Sequence, residues 1–165
     1  MLLGVSSYQF NSRNKILFFQ GSANFLWAIH FYFIGAFTGT AVNFVAVGRN
    51  YTFAKYRSKF RHPVLPVIFI GIFTVAVLIS WQGYLSLLPL GGMVSGTIAY
   101  WSRNTTVIRL LCLLSSPMWF TYNFISGSYA GVIIEVFIFC SILIGILRYD
   151  VLKQPKKLRA VKSRT

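Results

Sequence analysis

The chain has 165 residues, 56% of them hydrophobic and 18% aromatic; its mean hydropathy is +0.64, and sixteen Lys and Arg stand against two acids, for a formal net charge of +14. That composition excludes an ordinary soluble domain. Two acids and two dispersed histidines supply no paired carboxylates, no metal cluster and no nucleophile motif, so no enzyme, no metal site and no cofactor is expected.

In chain order, the basic residues bound three blocks, 16–48, 62–102 and 110–147, each about twice the roughly 20 residues of a helical span. Each block has a turn signal near its middle: GAFTG at 35–39, WQGY at 81–84 and SGSYAG at 126–131. Six transmembrane helices are therefore predicted, over 16–35, 38–56, 63–81, 84–102, 106–125 and 129–148. The first block is too short for two full spans, so the 38–56 helix must carry Arg49 in its last turns, where the side chain is expected to snorkel to the interface.

A charge of +14 suggests nucleic acid until the basic residues are placed on this topology. Arg13 and Lys15 precede the first helix; Arg49, Lys55, Arg57, Lys59 and Arg61 follow the second; Arg103 and Arg109 flank the connection at 102–106; and the remainder lie between Arg148 and Arg164. All fall on one side and none falls in a hairpin turn, which is the positive-inside pattern of a multi-pass protein with a cytoplasmic C-terminus. The partner implied is the bilayer, with the basic tail QPKKLRAVKSRT near anionic lipid, and not a nucleic acid. Cys112 and Cys140 fall inside predicted helices and suggest no disulfide. His62 lies in the basic loop, and MLLGVSSYQF is too short and lacks the basic start of a cleavable signal.

LWAIHFYFIGAFTGTAVN, residues 26–43, shares a skeleton with MWFTYNFISGSYAGVIIE, residues 118–135: Trp, seven residues, Gly, three residues, Gly, three residues, a polar side chain. In one ungapped register the chain also matches at Gly4 and Gly96, Tyr8 and Tyr100, and Ile16 and Ile108, the second pair lying 92 positions apart like all the others. The register predicts a parallel repeat in a three-plus-one-plus-three plan. Its parts are a first three-helix repeat over 1–56, a basic loop and linker helix over 57–82, a second repeat over 83–148 and a basic tail over 149–165. In that plan the 84–102 helix has its counterpart in Met1 to Phe10, too short to span, so the first helix reads as truncated. A second copy of the chain would complete it, as half-size carriers pair, which makes a homodimer one expectation.

PMWFTYNFISGSYAGVIIE, the ILRYD that follows and HFYFIGAFTGTAVNFVAVGRN resemble the YgjV-like bacterial inner membrane proteins over nearly the whole chain. That resemblance implies an all-α protein of the inner membrane. The three-plus-one-plus-three plan is also similar to that of the SWEET, semiSWEET and PQ-loop transporters, in which a Trp on the second helix and an Asn on the third helix of each repeat face a central substrate cavity. By that resemblance Trp27 and Asn43 form one half of a substrate site, and Trp119 and Glu135 the other.

Glu135 is the sharpest signal, the one acid inside a predicted helix. A carboxylate within the membrane costs a few kcal/mol and is functional by default. It can take up and release a proton during alternating access, balance a cationic substrate group, or join two helices by a hydrogen bond. Asn43, its partner in the register, offers only neutral hydrogen bonds. Trp27 and Trp119 can stack on a flat ligand or pack the core. His30, Tyr122 and Asn123 lie about a turn further along and complete the candidate substrate site, while Gly92 and Gly96 read as helix packing. Two functions remain open: a small-molecule carrier with a midplane site between the repeats, or a non-transporting scaffold or accessory protein acting through the loop NYTFAKYRSKFRH and the basic tail.

Overall fold

The computed structural model describes residues 2–56 and 64–152. Among these there are seven α-helices and no strand: α1 (Leu2–Ser7), α2 (Arg13–Phe33), α3 (Phe37–Lys55), α4 (Val64–Ile79), α5 (Leu87–Trp101), α6 (Thr105–Ile125) and α7 (Tyr129–Ile146). The expected all-helical architecture is observed, and six of the seven helices lie within a few residues of the predicted bounds. Most of the basic loop and all but the start of the basic tail lie outside the described residues.

Local chemistry sets the ends. Asn104 caps α6, its side chain accepting from the Thr106 N–H at 2.9 Å. Gly35 at φ +73° and Gly127 at φ +71° end α2 and α6 in the left-handed conformation. After Gly35 the Ala36 N–H reaches back to the Phe31 carbonyl at 2.9 Å; after Gly127 the Ser128 N–H reaches the Asn123 carbonyl at 2.9 Å. The two hairpin turns thus have one geometry. The 84–102 helix starts later than predicted, because Gly83 at φ +88° and a 3-10 turn over Tyr84–Ser86 precede α5. Pro89 then falls in the first turn of α5, where its missing N–H costs nothing.

The helices pack in a closed ring: α1 on α2, α2 on α3, α3 on α5, α5 on α6, α6 on α7, and α7 back on α1, with α4 outside against α3 and α5. Short as it is, α1 is anchored by side chains. Gln20 Nε2 donates to Ser7 Oγ at 2.8 Å, Ser141 Oγ to the Val5 carbonyl at 2.7 Å, and Gln9 Nε2 to the Ser141 carbonyl at 2.8 Å.

The interior combines apolar clusters with polar and charged side chains, and the outside is largely apolar. Asn24, Asn43, Arg49, Arg109, Ser116, Asn123 and Glu135 are buried, whereas Phe18, Phe44, Ile133, Phe137 and Val75 are exposed. A surround of lipid makes such exposure favourable over so many large side chains. Among the described residues one helix, Tyr129–Val151, which takes α7 through a final π-turn, is by length and composition long and apolar enough to cross a membrane; Val64–Ile79 is apolar but shorter.

Candidate functional site: a buried polar cavity

The ring surrounds a partly open cavity of about 80 Å³, room for about five water molecules or one small solute. Trp27, Asn43, Trp119, Asn123 and Glu135, brought from four helices, all line it, beside Gln20, Asn24, Arg49, Ser115 and Ser116. His30 and Tyr122 do not. His30 Nε2 lies 2.8 Å from Ser128 Oγ, and the Tyr122 hydroxyl accepts from the Gly39 N–H at 2.9 Å. Each therefore ties its own helix to the opposite hairpin.

Glu135 is 8% exposed, and its Oε2 accepts from Ser116 Oγ at 3.0 Å. Ser116 stands just before Pro117, inside α6, where the missing N–H interrupts the helix ladder beside the acid. Asn43 occupies the equivalent place on α3, but its Nδ2 donates back to the Gly39 carbonyl at 2.8 Å. Asn123 behaves likewise towards the Trp119 carbonyl at 2.9 Å, and its Oδ1 stays buried without a partner among the described residues.

The two tryptophans do not face each other across open space. Phe31 stands between them, stacked on Trp27 at 5.4 Å and on Trp119 at 6.1 Å between ring centroids. Tyr122 packs edge-on to Phe31 at 5.6 Å and extends this aromatic cluster. Gly92 seats the Trp119 indole, since a Cβ there would come within 2.5 Å of Nε1. Gly96 lies against Arg49, 3.5 Å from its Nη1 by the same construction. The glycines expected to pack helices do so by making room for cavity side chains.

At the other end Tyr8 and Tyr100 meet, hydroxyl to hydroxyl, at 3.5 Å. Behind them two arginines cap helix ends across the ring. Arg13 donates to the carbonyls of Tyr100 at 2.7 Å and Ser102 at 3.1 Å. Arg109 donates to those of Tyr8 at 3.4 Å and Phe10 at 3.2 Å, and pairs with Asp150 at 3.1 Å. The acceptors correspond in the sequence register; the donors are displaced by one helical turn.

Arg49 corrects an expectation. Instead of snorkelling it is 1% exposed, because α3 runs on to Lys55 and turns position 49 towards the ring interior. Its Nε donates to Asn50 Oδ1 at 3.1 Å, its Nη1 to Thr97 Oγ1 at 3.1 Å and to the Met93 carbonyl at 3.3 Å. The guanidinium carbon lies 5.3 Å from the Phe73 ring centre and 5.0 Å from that of Tyr100. Arg49, Phe31 and the Tyr8–Tyr100 contact were missed as site features by sequence reading; a signal existed for the tyrosines, which match in the repeat register.

No curated protein and no solved structure matches the chain. Residues 1–153 match the family Imp-YgjV, described as bacterial inner membrane protein. The chain therefore belongs to the Imp-YgjV family of bacterial inner membrane proteins.

Proposed function

We propose that this protein is a multi-pass carrier or facilitator of a small molecule, without enzymatic activity, whose site is the cavity between two parallel repeats. One observation carries the reading: polar and charged side chains contributed by both halves, Glu135, Arg49 and several amides among them, converge on one cavity. A merely structural bundle has little reason to enclose Glu135, Arg49 and several amides, each costly to bury in a membrane.

The repeat reading has α1, α2 and α3 answering to α5, α6 and α7, with α4 as linker. In its support, α2 and α6 begin at Arg13 and Thr105, α3 and α7 at Phe37 and Tyr129, each pair in the register of Tyr8 and Tyr100. The packing agrees with a two-fold axis through the ring, since α3 on α5 is the counterpart of α7 on α1. For the six spans, α2 and α6 have 21 residues each, about 31 Å at 1.5 Å per residue against a hydrocarbon core of about 30 Å. Their hydropathy is diluted by inward polar faces. In this reading the arginine-capped end faces the cytoplasm, with the C-terminus, and its basic residues meet anionic lipid.

Glu135 is the residue assigned to proton coupling. The test is uptake of a bacterial metabolite extract by proteoliposomes, read by mass spectrometry, with and without a pH gradient. Wild-type protein is expected to accumulate at least one solute in a gradient-dependent manner, and Glu135→Gln to lose that dependence. Uptake no different from empty liposomes overturns the carrier reading.

A further inference from the structure

Arg49 is a buried cation in a chain that has almost nothing to neutralise it. The sequence contains two acids. Asp150 is held by Arg109, and Glu135 accepts from Ser116. Among the described residues no carboxylate pairs with Arg49, whose protein partners are a carbonyl, a hydroxyl, an amide oxygen, the Met93 sulfur and two ring faces.

Those contacts use Nε and Nη1, while Nη2 donates to no described residue. A desolvated guanidinium is stabilised far more by a charged oxygen than by neutral acceptors, and its planar fork fits carboxylate or phosphate oxygens in pairs. The guanidinium also lines the cavity, beside Met93, Gly96 and Tyr100. Gly96 leaves the guanidinium's flank free of a side chain.

The geometry points to an anionic ligand: the cavity binds a small organic or inorganic oxyanion, a carboxylate or a phosphate, with Arg49 as the charged anchor and the amides of Asn24 and Asn43 as neutral neighbours. The inference rests on the reading of the cavity as a substrate site and narrows its substrate class. Neutral sugars are then not the cargo, and Glu135 sits in the same cavity as a proton carrier able to offset the ligand's charge. The acid is not Arg49's partner, so the cation stays available to the ligand.

Thermal unfolding of the full chain in detergent, at constant ionic strength, would be followed with sodium lactate, sodium phosphate and glucose as added solutes. Saturable stabilisation by lactate or by phosphate, and none by glucose, is expected; which anion acts separates carboxylate from phosphate. Arg49→Gln should weaken that anion's binding about tenfold or more. Where Arg49→Gln does not elute as a single folded species, Arg49→Lys carries the test, retaining charge without the fork and losing a smaller but measurable part of the affinity.

No saturable anion effect on the wild type, or the same effect in a folded Arg49 variant, overturns the inference. Anion binding without flux in proteoliposomes would remove the carrier reading and leave the anion site. Flux of a neutral solute with no anion binding would do the reverse.

Discussion

The stretch 13–55 and the stretch 105–146 are built alike and charged differently. Each is a helix, a left-handed glycine turn and a second helix, with Trp on the first helix and a polar residue on the second facing one cavity. Yet where the first has Asn43 the second has Glu135, and where the first has Arg49 the second has Ser141. The frame, which depends on backbone geometry and small residues, is shared; the two charges that line the cavity are divided, the cation to one half and the acid to the other. Shared geometry with divided charge is what a single cavity needs if one group is to hold a ligand and another to move a proton.

Predictions that break or sharpen this comparison run from the largest effect to the smallest. At the arginine-capped end, Arg109 is fully buried and Asp150 is its counter-ion. Asp150→Ala leaves that guanidinium with the Tyr8 and Phe10 carbonyls and the Tyr149 ring face but no counter-ion, and a loss of about 3–5 kcal/mol is expected on thermal or denaturant unfolding in detergent. A negligible loss would mean that the cation is not desolvated there. The turns come next: Gly35→Ala and Gly127→Ala should each cost about 1–2 kcal/mol, because both positions are left-handed and nothing lies within 4 Å of the added Cβ. Equal losses support the shared frame, and a marked inequality would break it. Glu135→Gln, which keeps shape and the Ser116 hydrogen bond, should change stability by less than about 1 kcal/mol while flattening the pH dependence of flux. The reverse change at Asn43, to Asp, should perturb flux without restoring the Glu135→Gln defect.

Much of the frame was legible in the sequence. Glycines followed by another small or polar residue, spaced evenly in both halves, announce left-handed helix ends, and these put the hairpins where they are. The convergence of Trp27, Asn43, Trp119 and Glu135 on one cavity was implied by the resemblance to the SWEET and PQ-loop plan. What could not be read depends on which way a side chain faces within a ring. Arg49 was expected at the interface because its place along the helix is near an end, but burial is decided by the helix face, and that face is set by contact with Thr97 and Tyr100 on α5. Phe31 fills the gap between the tryptophans through contacts made across two helices, with no local signal. The Arg13 and Arg109 caps are disguised because the donors sit one helical turn apart in the register, although their acceptors match.

Cys112 offers the most direct test of alternating access, since it lines the cavity and is 3% exposed. With Cys140→Ala removing the other thiol, Cys112 is the sole cysteine. Sealed vesicles of either orientation would be treated with a membrane-impermeant methanethiosulfonate reagent and the modified fraction read by intact mass. The account predicts slow modification from both faces, as the cavity opens to each in turn. Modification from neither face, or from one alone, in protein that reacts fully once denatured, would contradict it.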